Sequence, residues 1–216
     1  MSKRILIFHS SNDLYGASKI LIQVIDLLNK NGYETHVFLP YKGPLDHFFD
    51  EKQIKTTHLN FGVFRRKYFS LLGLLDRFFK IFFSIFKIVR YVKQNNIDVI
   101  YTNTSIILAS GISAILCKIP NYFHIHEIPN NNFYLRIMGF LISKFSSKII
   151  VVSKSVKSHW SKYISKPLTH IYNGVPKINI EVVSKRPSKK IKFLTIARLL
   201  PYKGHKYIIE IANYIK

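Results

Sequence analysis

Short apolar runs recur along the chain, spaced widely enough for a helix between most of them, and this alternation constrains the fold more than any single residue. Residues 5–8, 33–39, 55–59, 98–101, 122–125, 148–152 and 169–172 each read as a strand, the 55–59 run the weakest of them. Between the first two, residues 17–29 place Ile20, Leu21, Val24, Leu27 and Leu28 at helical spacing, and Gly32 supplies a stop. Strands that alternate with helices form βαβ units, and a chain of such units closes into a parallel sheet covered on both faces. The expected fold is therefore α/β with a doubly wound parallel sheet.

The alternation breaks at 176–190, where Pro176, Ser188 and the bases Lys185, Arg186, Lys189 and Lys190 read as a linker. Residues 191–216 hold one more expected unit: an apolar run at 193–197, a loop, and a helix with Ile208, Ile209, Ile211 and Ala212. A lone βα unit cannot bury its own core. The expected organisation is a domain at 1–176, a linker at 177–190 and the truncated start of a second domain at 191–216.

Charge narrows the partners. Lys plus Arg number 33 against 11 for Asp plus Glu, a formal net charge of +22, and no acid lies between Glu127 and Glu181. So basic a chain is drawn to polyanions: nucleic acid, anionic lipid or phosphate-rich small molecules. A hydrophobic fraction of 48% with 17 Phe and 13 Tyr excludes a disordered chain. Cys117 is the only cysteine, so no disulfide framework exists within one chain, and a buried structural thiol is expected. Residues 5–8 are too short for the apolar core of a signal peptide.

Several stretches carry candidate chemistry. The loop Ser10 to Ser18 joins the first strand to the first helix, where open α/β sheets receive ligands, and Gly16 admits a close approach. It is not a Gly-x-Gly-x-x-Gly fingerprint, which leaves a dinucleotide site unsupported. His124-Ile125-His126-Glu127 ends a strand, with both histidines on one side by alternation, yet no third metal ligand has a recognisable spacing, so no metal is expected. Asn173-Gly174 ends the last strand of the first domain in a turn. Arg198 and Lys203 flank a Pro-Tyr-Lys-Gly turn between strand and helix, an arrangement that aims two cations and a helix N-terminus at one anion.

Residues 70–93 form a long helical pattern in which Ser70, Gly73, Arg77, Lys80, Ser84 and Lys87 make a narrow polar stripe and Leu, Ile and Phe fill the rest. Charges interrupt it too often for a membrane span. With Arg65, Arg66 and Lys67 just before it, and Phe78 and Phe82 within it, this surface suits monotopic attachment to anionic lipid.

Taken in order, Tyr15-Gly16-Ala17-Ser18, His126-Glu127, Asn173-Gly174-Val175 and Arg198-Leu199-Leu200-Pro201-Tyr202-Lys203-Gly204 resemble the retaining, nucleotide-sugar-dependent glycosyltransferases of family four, which have the GT-B fold. The resemblance implies two Rossmann-like domains, of which this chain holds the N-terminal acceptor-binding one and the first βα unit of the donor-binding one. It implies a nucleotide-diphospho-sugar donor, UDP-linked, as substrate, with no cofactor and no essential metal. It implies that Arg198 and Lys203 hold the donor diphosphate and that Gly16 contacts donor phosphate or acceptor. His126 is implied to position the reacting hydroxyl with Glu127 orienting it, and Asn173 and Gly174 to lead into the cleft. The family's Gly-Gly-Ala-Glu-like loop is Tyr-Gly-Ala-Ser here, so Ser18 replaces its acid. The family's Glu-x7-Glu donor segment falls beyond Lys216, so the chain alone is expected to turn over little or no substrate.

The acceptor expected from a basic, apolar surface is a lipid-linked or polysaccharide precursor, and the expected location is cytoplasmic, peripheral on the inner face of the membrane. The competing reading is a non-catalytic basic module that binds membranes or polyanions. Specific nucleic-acid recognition is not expected, because no helix-turn-helix, zinc-finger, RRM or KH signature is present.

Overall fold

The computed structural model describes residues 3–65, 68, 70–174, 193–197 and 199–215. It falls into two units, Met1–Val175 and Pro176–Lys216, each described by itself. The first alternates throughout: β1 (Arg4–Phe8), α1 (Gly16–Lys30), β2 (Glu34–Leu39), α2 (Pro44–Glu51), β3 (Lys55–His58), α3 (Leu71–Gln94), β4 (Val99–Thr102), α4 (Ala109–Cys117), β5 (Asn121–Ile125), α5 (Asn132–Phe145), β6 (Lys148–Val151), α6 (Lys154–Trp160) and β7 (Leu168–His170). All seven strands pair in parallel, in the order β3-β2-β1-β4-β5-β6-β7. This is the doubly wound sheet that the alternation predicts.

The period-two geometry of a strand splits β1 between two cores. Ile5 and Ile7 pack on one face with Leu21 and Ile25 of α1, Val37, Leu39 and Phe49. Leu6 and Phe8 pack on the other with Phe38, Phe61 and Ile81, Ile88 and Val92 of α3. Further along the sheet, Phe123, Ile125, Ile149 and Val151 meet Leu135, Met138 and Ile142 of α5 and Trp160 of α6. Burial of an apolar side chain stabilises by about 1.5–3 kcal/mol, and the central strands collect it on both sides. On α1 the packing positions are Ser18, Leu21 and Ile25, whereas Leu27 is 63% exposed. Of the expected face only Leu21 is fully buried, Val24 and Leu28 pack partly, and the buried Ser18 and Ile25 were not part of it.

Helix α3 begins where Ser70 Oγ accepts from the Gly73 amide. Its inner face includes part of the polar stripe. Arg77 and Ser84 are only 5% and 2% exposed, and they lie inside with Ile81, Ile88 and Val92. Arg77 is satisfied there by Asp76 and by the face of the Tyr68 ring, 3.9 Å away, and Ser84 by the Ile81 carbonyl. Gly62 explains the close fit. It has φ of 68°, and a Cβ would stand 2.7 Å from Ile81 and 2.9 Å from the Arg77 carbonyl. Cys117 is half-buried at the end of α4 rather than buried, and burial pushes its thiol up while Lys93 pulls it back.

In the second unit a 3-10 turn at Pro201–Lys203 leads into α7 (His205–Tyr214). The expected strand at 193–197 does not form, and Phe193 is 85% exposed. An apolar run becomes a strand only when a neighbour accepts its backbone hydrogen bonds, and this run pairs with no strand among the described residues. The expected linker at 177–190 lies outside them.

Candidate functional site

Strand order reverses at β1: the chain passes from β1 to β2 on one side, and β4 joins on the other. Loops leaving the carboxyl ends of β1 and β4 therefore diverge, and open α/β sheets bind ligands in the crevice so formed. Here the residues just past three adjacent strands are polar: His9 after β1, Asn103 to Ser105 after β4, and His126 and Glu127 after β5. His9, Asn103, Thr104, Ser105 and His124 are buried.

Hydrogen bonds tie these residues into one network. His126 Nε2 lies 2.8 Å from Asn103 Oδ1, and Asn103 Nδ2 lies 3.1 Å from His9 Nδ1 and 3.4 Å from the Ala17 carbonyl. His9 Nε2 is 3.0 Å from Ser18 Oγ, which donates to Asp13 Oδ1 at 3.0 Å. The Tyr101 hydroxyl bonds His124 Nδ1, and the His124 and His126 rings stand 4.3 Å apart. Desolvation holds all three histidines neutral: His9 falls to about 4, His124 to about 3 with help from His126, and His126 falls despite the pull of the Glu127 charge. Burial likewise pushes Tyr101 well above the usual range. Asp13 feels burial pushing it up, but hydrogen bonds from the Tyr15 amide, Ser11 and Ser18 hold its carboxyl below the ordinary value.

Glu127 accepts from the His126 backbone amide at 3.3 Å and also bonds beyond it. It accepts from Thr104 Oγ1 at 2.6 Å and from Ser105 Oγ at 3.2 Å, and its carbonyl takes the Trp160 indole N–H at 2.9 Å. It pins the β4 and β5 loops together, and the His126 ring is oriented by Asn103 instead. Glu127 still lines a cleft of about 670 Å³ with Arg65, Ser105, Pro129, Asn131 and Tyr134.

The Arg65 guanidinium donates to the Ser10 carbonyl at 2.7 Å, and it lines both the larger cleft and a neighbouring hollow of about 340 Å³. A cation held against the β1 loop is part of the crevice. Arg66, Lys67 and Arg198 lie outside the described residues. Phe78 is 61% exposed and Phe82 is exposed beside it.

Gly16 opens α1, is exposed, and has nothing within 4 Å of where a Cβ would stand, so the space around it is open. The first amides of α1 have no intrahelical partner and no side chain caps them. The loop before them is anchored by Asn12, which donates to the Tyr41 carbonyl and accepts from the Leu45 amide. Gly43 permits this, since a Cβ there would sit 2.4 Å from the Asn12 carbonyl. Asn173 and Gly174 are exposed past β7, with the nearest atom to a Gly174 Cβ belonging to Gln23 of α1, and neither lines the cleft or the hollow. Lys203 is exposed at the end of the 3-10 turn of the second unit.

Sequence reasoning missed His9, Asn12 and Asn103. The available signal was the polar run Thr102 to Ser105 directly after the apolar run of β4. Among the described residues no group of three or more His, Cys, Asp or Glu is placed to hold a metal ion, and no helix is long and apolar enough to cross a membrane.

Residues 15–177 match the profile of Glycosyltransferase Family 4. Among solved structures, the Anabaena protein Alr3699/HepE in complex with UDP-glucose is 21% identical with a TM-score of 0.62, over 80% of this chain and 44% of that one. A glycosyltransferase from Rickettsia africae is 21% identical with a TM-score of 0.57, over 81% and 44%. Acinetobacter baumannii MurG is 16% identical with a TM-score of 0.53, over 71% and 42%. The likeness is one of fold, and the chain spans less than half the length of these structures. No curated protein matches it.

Proposed function

Since the chain belongs to glycosyltransferase family 4 and has the fold of a GT-B glycosyltransferase half, we propose that it is the acceptor-binding part of a retaining enzyme. The reaction moves a sugar from a UDP-linked donor to a membrane-associated saccharide or lipid-linked acceptor, in surface polysaccharide or glycolipid synthesis. The observation that carries this reading is His126: a histidine held neutral at the carboxyl end of β5, beside a cleft at the switch point of the sheet. A neutral imidazole can take a hydrogen bond from a sugar hydroxyl as that oxygen becomes nucleophilic. In this reading the open space at Gly16 and the uncapped amides of α1 receive donor phosphate or acceptor, and Arg65 adds positive charge nearby. Arg198 and Lys203 neutralise the charge growing on the leaving diphosphate, an electrostatic contribution. Asn173 and Gly174 lie on the acceptor side, past the end of β7. The structures that support a UDP-linked donor are those of the Anabaena protein with UDP-glucose and with UDP.

Calorimetric titration with UDP, ADP and GDP tests the donor. Preference for UDP, lost in Lys203→Ala, supports the reading. Equal binding of all three nucleotides would sink it.

The acceptor's membrane association rests on α3. Its outer face exposes Leu71, Leu72, Leu75, Phe78, Phe79, Phe82, Phe83 and Phe86, and the Phe78, Phe82 and Phe86 rings follow one another at 6.4 and 5.0 Å. A groove of about 800 Å³ runs between this face and α4, lined by Phe82, Phe86, Ile112 and Leu116 together with Arg90 and Lys93. An apolar face with bases beside it, on a chain of net charge +22, complements an anionic bilayer. In this reading the protein is cytoplasmic and sits peripherally on the inner face of the membrane. Flotation with phosphatidylglycerol vesicles is expected to exceed that with phosphatidylcholine, and equal recovery with both would remove the electrostatic part of the argument.

A further inference from the structure

The geometry points to Asn103 as a positioning residue that fixes the tautomer of His126, so that its Nε2 carries the hydrogen and its Nδ1 carries the lone pair. The inference rests on the reading above for what His126 does, and on geometry alone for how it is held.

The argument starts from an acceptor that cannot change. The Ala17 carbonyl lies 3.4 Å from the Asn103 amide nitrogen, and a carbonyl only accepts, so the amide group of Asn103 must keep its nitrogen on that side. Its oxygen then faces His126 Nε2 at 2.8 Å. An amide oxygen also only accepts, so Nε2 must be the protonated ring nitrogen, and in a neutral ring the lone pair falls on Nδ1. The second hydrogen of the Asn103 amide points at His9 Nδ1, 3.1 Å away, which makes that nitrogen an acceptor. His9 Nε2 must then carry its hydrogen toward Ser18 Oγ, and Ser18 passes its own hydrogen to Asp13 Oδ1. Every donor along this line meets one acceptor, with no alternative direction, and the line ends on a carboxylate that cannot donate. Asn103 is buried, so water does not compete for either end of its amide.

The consequence for the proposed reaction is specific. A sugar hydroxyl at His126 would meet the Nδ1 lone pair, the atom able to accept its hydrogen. The same amide also joins His126 to the first turn of α1 and the loop holding Asp13, where donor phosphate is placed. Asn103 touches neither substrate in this scheme. It acts through the ring.

Nitrogen NMR of the full 216-residue chain labelled with 15N-histidine reads the tautomers without any substrate. The His126 and His9 resonances are assigned by His126→Gln and His9→Gln. Both rings are expected as single Nε2–H tautomers at pH 7.5. In Asn103→Asp, whose two oxygens only accept, His126 should keep its form while His9 shifts to a ring protonated on Nδ1. In Asn103→Ala both rings should relax toward the mixture of a free histidine, with circular dichroism confirming the fold. If the alanine variant does not fold, the isosteric aspartate variant decides alone. A wild-type His126 protonated on Nδ1 would overturn the inference, as would a His9 form unchanged in Asn103→Asp. If the lock holds and His126→Gln leaves sugar transfer from a UDP-linked donor intact, the role given to His126 falls and the lock stands.

Discussion

The carboxyl edge of the sheet and the outer face of α3 invert the usual distribution of polarity in opposite ways. At the sheet edge, imidazoles, amides and hydroxyls are buried, and most are matched to a partner. On α3 phenylalanines stand in solvent while an arginine and a serine lie within. Burying polar groups is tolerable only when hydrogen bonds replace water, and each one left unmatched costs about 1–3 kcal/mol. Exposing apolar groups costs nothing in hydrogen bonds but leaves a surface that gains from being covered. The first region is thus committed to one internal arrangement, and the second is committed to something outside itself.

Acid should break the comparison most strongly. His9 and His124 titrate near 4 and 3 in the folded protein and near 6.5 when unfolded. Below about pH 6.5 the unfolded chain takes up protons that the folded chain refuses, so stability falls as pH drops toward 4 and, through His124, toward 3. Asp13 and Asp46, held below the ordinary carboxylate range, add a loss in the same direction at the acid end. At about 1.4 kcal/mol per pKa unit the histidines together represent roughly 8 kcal/mol, most of it lost by pH 4. Urea melts from pH 7.5 to 4 should show this loss, and a flat profile would mean that the imidazoles are not desolvated.

A smaller effect of the same kind is expected from Asn103→Ala, which strips partners from His126 Nε2 and His9 Nδ1 at once. A loss of about 3 kcal/mol in urea denaturation fits two orphaned groups, and a loss under 1 kcal/mol would mean that water substitutes readily. Gly43→Ala should cost about 2 kcal/mol, within the range for overpacking, by driving a Cβ into Asn12 and loosening the loop at the cleft. The triple change Phe78→Ser, Phe82→Ser and Phe86→Ser should barely move stability, by less than about 0.5 kcal/mol, as for other exposed sites. Its partition onto anionic vesicles should fall at least about tenfold, because each ring is worth roughly 1.5–3 kcal/mol when buried. A large loss of stability with unchanged vesicle binding would show that the face belongs to the protein's own core.

Much of the fold was legible because the signals are local. Most strands announce themselves by an apolar run, β3 with its Lys55-Thr56-Thr57-His58 being the polar exception, and Ser153 caps α6, accepting from the Val156 amide at 3.1 Å. His126 was legible by its place at a strand end. Its partner was not, because Asn103 lies 23 residues away and the bond exists only once β4 and β5 lie side by side. Sequence adjacency instead favoured Glu127, whose carboxylate turns toward Thr104 and Ser105. On α3 the packing face was not legible for a related reason. Periodicity shows that a helix has two faces, but the face that packs is chosen by the surface it meets, here the Gly62 loop and the Tyr68 ring. At 193–197 the apolar run was read correctly as apolar, but strand formation also requires a neighbour.

The position of β1 in the sheet has a consequence in time. Ile5 pairs with Thr35 on one side and with Val99 on the other. A ribosome that has completed β2 must add about 60 residues before β4 begins, which at roughly 5–20 residues per second takes about 3–12 s. Through that interval β1, an interior strand of the finished sheet, is an edge, and the aromatic helix α3 is emerging beside it. The segment that later organises the crevice is, during synthesis, the one most open to a wrong partner. Slowing elongation between residues 39 and 99 should therefore lower the soluble yield more than the same delay placed after β4.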